Sequence, residues 1–305
     1  MQLKQTIKRA LAVCAYSALR TYARYSPVHW GRLRAWALGR DYVNFYNFRR
    51  VVRTKEGVRF ECASEDLIQS CIMYFGMWDP HIERYLRARL RPGDLLVDVG
   101  ANIGYFTLLG SRLVGPTGQV VAIEASPNTH EMLLANARRN GATNVRAVNA
   151  AASNHRGTVE VFAGSSDNIG RKSIMARHGA REATVEAFPL ADILSADEIR
   201  RAAVIKIDVE GAEADVLRGI LSSAHLLGDS TDIIVEMTPN WLADVGTSAE
   251  QLLDEFRALG YHAYELPSSS MSDYLSETNP PVRRRIDRAL EAQTDVLLSR
   301  RADWV

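Results

Sequence analysis

Gly93-Asp94-Leu95-Leu96-Val97-Asp98-Val99-Gly100-Ala101-Asn102-Ile103-Gly104 is the stretch on which the fold turns. Five residues, four of them apolar, bounded by glycine read as a short buried strand. A helix is expected to follow from about Ile103. Glycine at a strand-to-helix turn permits a tight bend and close approach of backbone to a ligand. The helix beyond is expected to point free N–H groups and the positive end of its dipole at that ligand.

The same alternation continues downstream. The Gly115-Pro116-Thr117-Gly118 turn is followed by a strand over 119–124, a helix over 128–140 and a strand over 144–149. Further strands are expected over 204–209, 232–236, 261–266 and 295–299. Continuous apolar strands alternating with helices mean an α/β fold, a doubly wound and mostly parallel sheet covered on both faces. The stretch 153–190 is less regular. Val159-Glu160-Val161-Phe162 and Thr184-Val185-Glu186-Ala187-Phe188 suit added strands, around a polar loop 164–182 that carries Arg171, Lys172, Arg177, His178 and Arg181.

Upstream the pattern differs. Leu3, Ile7, Leu11 and Cys14 recur at helical spacing, and residues 1–40 read as helices. Val51-Val52-Arg53-Thr54 and Val58-Arg59-Phe60-Glu61-Cys62 read as a hairpin with Gly57 in its turn. Ser64 is the expected cap of a following helix, and Asp79-Pro80 marks another helix start. The expected division is a basic helical and hairpin extension over 1–62 and a catalytic domain over 63–305.

In 305 residues, 47% apolar and 24% charged, the composition is that of a globular chain; it excludes collagen-like, disulfide-dense and largely disordered classes. Three scattered cysteines with no CxxC encode neither a disulfide frame nor a cysteine zinc site, and they suit a reducing, cytoplasmic compartment. No apolar run approaches the ~20 residues of a membrane span. Residues 10–19 imitate a signal peptide, but Arg20 and Arg24 follow closely and no clean cleavage site is present. The net charge of +1 conceals an asymmetry: residues 1–56 hold twelve Lys/Arg against Asp41 and Glu56, and the remainder is acidic. Two readings of residues 1–40 stand side by side: packing on the catalytic domain, and peripheral contact with an anionic surface such as the inner face of a membrane.

Spacing narrows the ligand. A dinucleotide site needs G-x-G-x-x-G, whereas Asn102 holds the third motif position and Tyr105 stands at the last glycine; a P-loop GKS or GKT is absent. The remaining D-x-G-x-x-x-G places an acid before the turn, suited to a cationic ligand group and unsuited to pyrophosphate. Glu124, at the end of the next expected strand, is placed to take both ribose hydroxyls. Together these residues point to a nucleoside-bearing ligand.

A second constellation is Ile205-Lys206-Ile207-Asp208-Val209-Glu210-Gly211-Ala212-Glu213. Strand alternation would put Lys206, Asp208 and Glu210 on one face. Burying three charges costs several kcal/mol each unless they are paired or face a cleft. The two readings are a structural pair of Lys206 with Asp208 or Glu236, and a strand end facing the crevice where open α/β sheets bind ligands. Glu236 ends the next strand, so Asp98, Glu124, Asp208 and Glu236 all fall near carboxyl ends.

With these motifs the sequence resembles the FkbM-type methyltransferases, class I enzymes dependent on S-adenosylmethionine. The resemblance covers about 79–266, extends to the last strand, and leaves residues 1–50 outside. It implies a seven-stranded sheet with the last strand antiparallel. Asp98, Gly100, Asn102 and Gly104 would hold the methionine part of the cofactor and Glu124 the ribose. No acid follows the third strand, so backbone N–H groups or Asn149 would meet the adenine. Members methylate hydroxyls of sugars, glycans and polyketide-like molecules, which makes a small-molecule or glycan acceptor with a free hydroxyl the implied partner.

Transfer to oxygen requires an aligned acceptor and removal of its proton. Asp208 is the first choice of base, with Glu210 or Glu236 next; His155 and His178 are weaker choices. Asp208 with Glu236 would also suit a hard divalent cation, although no His-x-His or clustered acid spacing supports a metal. Competing classes are a silent nucleoside-binding module of the same fold, an NAD enzyme that the glycine spacing opposes, and a nucleic-acid methyltransferase, disfavoured by the acidic catalytic part and the absence of an Asn-Pro-Pro-Tyr type motif. Oligomeric state is not encoded.

Overall fold

The computed structural model describes residues 2–44, 48–162, 180–267, 273–274 and 284–301. They fall into two compact units: residues 2–80 with Asp273 and Tyr274, and the described residues from His81 onward.

The first unit contains helices α1 (Gln2–Tyr25) and α2 (His29–Asn44), strands β1 (Arg49–Arg53) and β2 (Arg59–Ala63), and helix α3 (Leu67–Phe75). The strands form the expected antiparallel hairpin, with Val52 opposite Phe60. Gly57 adopts φ 77° in its turn. Alternation buries Val52, Phe60 and Cys62 and exposes Val51. The cap of α3 is Asp66, whose carboxylate accepts from Gln69 N–H at 2.8 Å, and not Ser64. Ser64 is committed elsewhere: its N–H donates to Phe48 O at 3.0 Å and its hydroxyl accepts from Phe48 N–H at 3.1 Å, which keeps it in the hairpin ladder. Helix α1 packs on α3 through Tyr16, whose hydroxyl donates to Met73 O at 3.3 Å, and Arg20, whose Nε donates to the same carbonyl at 2.9 Å.

The second unit opens with α4 (Pro80–Arg89) and then alternates β3 (Leu95–Val99), α5 (Tyr105–Val114), β4 (Gln119–Ile123), α6 (Pro127–Asn140) and β5 (Val145–Val148). Three strands, β6 (Ala151–Ala152), β7 (Gly157–Phe162) and β8 (Arg181–Phe188), form a separate small sheet in the order β6-β8-β7. Short helices α7 (Leu190–Ile193) and α8 (Ala196–Arg201) lead to β9 (Ala202–Ile207), α9 (Glu213–Ser222), β10 (Asp232–Met237), α10 (Pro239–Asp244), α11 (Ala249–Ala258), β11 (His262–Leu266), β12 (Arg284–Arg285) and β13 (Thr294–Ser299).

The main sheet runs β12-β11-β13-β10-β9-β3-β4-β5. Strands β5, β4, β3, β9 and β10 are parallel, and β13 is antiparallel to both β10 and β11. This is the expected seven-stranded, Rossmann-like class I methyltransferase sheet, with the two-residue β12 added at one edge. The chain winds outward from β3 through β4 to β5, then returns to place β9 on the other side of β3. The boundary between β3 and β9 is therefore the topological switch point, where open α/β sheets hold their ligands. Leu95, Val97, Val99, Ile205, Ile207, Ile233 and Val235 line one face and pack with Val216, Leu217 and Ile220 of α9 and Leu252, Leu253 and Phe256 of α11. Residues 164–179 of the polar loop, with Arg171, Lys172, Arg177 and His178, lie outside the described residues.

Removal of the α3 cap checks the corrected assignment. Asp66→Ala is expected to lower stability by about 1 kcal/mol, read as a shift of the urea midpoint. A larger loss in Ser64→Ala would return the capping role to Ser64.

Candidate active site

The turn from β3 into α5 has three left-handed residues in five: Gly100 at φ 74°, Asn102 at 51° and Gly104 at 91°. Gly100 is fixed by a neighbour, because a Cβ there would lie 1.8 Å from the carbonyl oxygen of Asp208. Every N–H of the turn is consumed inside the protein. Gly100 and Ala101 donate to Ile123 O at 2.9 and 3.0 Å, and Gly104 donates to Ala101 O at 2.9 Å. Asn102 N–H donates to Glu124 Oε2 at 2.8 Å, and Ile103 N–H to Asn102 Oδ1 at 2.7 Å. No free N–H group remains over 100–104; those expected of the helix N-terminus belong to the first turn of α5, which begins at Tyr105. What the turn presents is backbone shape beside acceptors, and an anion such as pyrophosphate finds no donor in it.

Glu124 follows β4 and is largely buried. Its second oxygen accepts from Ser126 N–H at 2.9 Å, so two backbone N–H groups fix the carboxylate. Asn149 follows β5 and is exposed. Its amide donates to the carbonyls of Glu124 and Ala125 at 2.8 and 2.9 Å. That orients Asn149 by its nitrogen and leaves its carbonyl oxygen as the group with acceptor capacity.

The carboxyl ends of β3, β9 and β10 carry the charged cluster. Asp98 is fully buried and Lys206 is 2% exposed. Lys206 Nζ lies 3.5 Å from Asp98 Oδ1 and 3.3 Å from Asp208 Oδ2, and 5.1 Å from the centre of the Phe106 ring. Thr107 donates to Asp98 Oδ2 at 2.6 Å, tying α5 to the same carboxylate. Burial disfavours the Lys206 charge, but Asp208 and Asp98 outweigh it and hold the ammonium above its ordinary range. Asp208 is the open member of the trio, its side chain 37% exposed.

Two further carboxylates share this field. Glu236, on β10, accepts from Gln293; burial and then Asp208 push its carboxyl up to about 7. Glu213, in the first turn of α9, is also pushed to about 7, chiefly by burial, against the pull of Gly211 N–H, which lies 3.0 Å from both its oxygens. Glu213 was not singled out from the sequence, where an acid in a first turn reads as an ordinary dipole partner. Its near-complete burial is what marks it. Glu210 does not continue the face of Lys206 and Asp208. Strand β9 ends at Ile207, and the backbone turns through Glu210 at φ 51° and Gly211 at φ 108°. His155 is exposed, and among the described residues no three of His, Cys, Asp and Glu are grouped to hold a metal ion.

Comparison with known proteins shows the family. A family model described as Methyltransferase FkbM domain matches residues 98–263, more than half of the chain, from Asp98 on β3 to Ala263 on β11. The protein is similar to Methyltransferase sdnD of Sordaria araneosa, at 28% identity over 50% of this chain and 70% of the relative. Among solved structures it is similar to methyltransferase FkbM of Methylobacillus flagellatus, at 16% identity and a TM-score of 0.42, covering 94% of this chain and 58% of the other. It is also similar to a SAM-dependent O-methyltransferase of Thermotoga maritima, at 15% identity and a TM-score of 0.43, covering 82% of this chain and 77% of the other.

Two predictions follow from the charges. Lys206→Met strands a buried carboxylate and is expected to cost about 3–5 kcal/mol in urea unfolding, part of which the added Asp98→Asn restores. A double variant no more stable than the single one would mean that Asp98 is not what Lys206 compensates. The raised carboxyls give the second. A carboxyl near 4.5 unfolded and about 7 folded binds its proton more tightly in the folded state. Its stabilising contribution is present below about 4.5 and is lost as pH rises to about 7. Glu213→Gln is expected to flatten that fall in the urea midpoint; an unchanged slope would remove Glu213 as its source.

Proposed function

Because the chain belongs to the FkbM methyltransferase family, and so is an S-adenosylmethionine-dependent methyltransferase, we propose that it methylates a hydroxyl of a sugar, glycan or related natural product. The bound cofactor supplies a methyl group already activated on a sulfonium. What the protein must add is a fitted pocket for the donor, alignment of the acceptor and removal of one proton.

The donor side fits the groups present. The Gly100–Asn102–Gly104 turn lets the backbone approach the methionine part, and its lack of free N–H groups suits a cation better than a phosphate. Asp98 is covered, so we assign it a supporting part: it fixes Thr107 on one side and Lys206 on the other. Glu124, fixed by two backbone N–H groups, is the acceptor for the ribose hydroxyls. Asn149 Oδ1 is the acceptor for the adenine amine.

On the acceptor side one observation carries the reading: Asp208 is a partly exposed carboxylate pinned by a buried ammonium at 3.3 Å. A pinned carboxylate loses little freedom when it takes a proton from a hydroxyl, which is how a positioned base works. Glu236, with its carboxyl near 7, is the second choice, and Glu210 the third. The three cysteines, none of them in a disulfide, suit a cytoplasmic setting.

Asp208→Asn is expected to lower kcat by roughly 10²–10⁴ while calorimetry finds cofactor affinity unchanged. The assay is labelled-methyl transfer to a panel of glycans. Undiminished turnover would remove Asp208 as the base. If a rise in kcat through about pH 7 disappears in Glu236→Gln, the role passes to Glu236.

A further inference from the structure

Among the described residues the large exposed hydrophobic side chains are unevenly distributed along the chain. Of the nine, seven fall between Leu11 and Val51. In a globular protein large apolar residues at the surface are ordinarily scattered, and a contiguous set marks an interaction surface.

On α1 the two faces are distinct. Tyr16 and Ala23 are buried, and Tyr16 and Arg20 bond to Met73 of α3. Leu11, Cys14, Ala18, Tyr22 and Tyr25 are exposed at intervals of three and four residues, an apolar stripe along one side of the helix. A packed helix and a surface-seeking helix are therefore the same helix seen from two sides. Tyr22 leads onto α2: a Cβ on Gly31 would lie 2.7 Å from its hydroxyl. There Trp30, Arg34 and Leu38 are exposed at four-residue spacing, with the guanidinium of Arg34 6.0 Å from the centre of the Trp30 ring.

Charge selects the occupant. The exposed cations of this unit include Arg34, Arg49, Arg50, Arg53, Lys55 and Arg59. Arg50 reaches Ser17 on α1 at 3.4 Å, which brings the basic hairpin alongside the helix. The stretch 1–56 holds only Asp41 and Glu56 against its twelve Lys/Arg. Aromatic and aliphatic side chains interleaved with arginine suit the boundary between headgroups and acyl chains of an anionic bilayer. Cations bind the headgroups, and rings settle at their depth. No helix among the described residues is long and apolar enough to cross a membrane, so the contact is along the surface.

We propose that the exposed stripe of α1 and α2 docks the enzyme on an anionic lipid surface, with Tyr22, Tyr25, Trp30 and Leu38 in the interface and the arginines of α2 and the β1–β2 hairpin on the headgroups. This goes beyond the methyl-transfer reading and does not depend on it.

The test uses the full chain with vesicles of phosphatidylcholine alone and of phosphatidylcholine mixed with phosphatidylglycerol. Co-sedimentation is expected with the anionic vesicles only, and it is expected to weaken as salt rises. The variant Tyr25→Ser/Trp30→Ser/Leu38→Ser is expected to weaken partition by on the order of tenfold or more, the scale for withdrawing large apolar side chains from an interface. Its melting temperature and cofactor affinity are expected to match the parent. The blue shift of tryptophan emission on anionic vesicles should vanish in Trp30→Phe. No binding by the parent, or binding equal in parent and triple variant, overturns the proposal. So does a parent that is a dimer in light scattering and becomes monomeric in the triple variant without any vesicle binding, because the stripe is then an interface between copies. Loss of methyl transfer with vesicle binding intact would overturn the enzymatic reading and leave this one standing.

Discussion

A single buried ammonium holds the carboxyl ends of the two central strands together. Asp98 on β3 is fully buried, and Asp208 follows β9, 3.0 Å from β3 through its own N–H to Val99 O. Two carboxylates this close would repel and would force one to keep its proton. Lys206 lies between them, 3.5 and 3.3 Å away, and among the described residues it is the only cation in contact with either. Its own burial is tolerable only because both partners are present. The ion group is thus a condition of bringing these strands together, and the exposed end of it is the carboxylate available for chemistry.

The opposite end of the sheet shows the same materials used differently. Asp232, at the start of β10, is also fully buried. It accepts from Tyr85 at 2.6 Å and from Arg89 at 2.7 Å, and Arg301 joins them. Donors crowd one oxygen of a carboxylate that no solvent reaches, which ties α4 and the segment after β13 to the sheet and offers nothing to a substrate. At the carboxyl end acids outnumber donors. There burial, with the neighbouring acids adding to it, pushes Glu213 and Glu236 up to about 7. An acid-rich, donor-poor rim is stable only where burial of the acids is partial or their protons are retained, and such a rim favours a cationic ligand.

Much of this was legible in the sequence for a plain reason. Continuous apolar runs bounded by glycine have few uses other than central strands, so β3, β4, β9 and β10, with helices α5 and α6, were expected within a few residues of where they lie. The hairpin was legible from alternation, because Val52 and Phe60 need one face and Val51 the other. Ser64 against Asp66 was not. Both are good caps two positions apart, and the choice is made by Phe48, a residue far away in sequence. Nor was the link between Asn102 and Glu124 visible, since alternation and periodicity describe neighbours and not a bond across 22 positions. Extending β9 through Glu210 failed for a related reason: alternation assumes extended backbone, and Gly211 with its φ of 108° is where that ends.

The donor turn and the proposed base are not independent parts. The carbonyl of Asp208 occupies the space a Cβ on Gly100 would need, and the side chain of Asp208 holds Lys206, which reaches back to Asp98 beneath that same turn. One residue therefore touches the backbone of the turn through its main chain and the ion group through its side chain. The turn therefore packs on the main chain of the residue whose side chain belongs to the ion group. For a reaction in which donor and acceptor must meet within a fraction of an ångström, placing both on one strand pair fixes their separation by the β3–β9 ladder itself. That constraint would let the proposed chemistry rest on two short contiguous motifs, 98–104 and 205–213, that lie about a hundred residues apart in the chain.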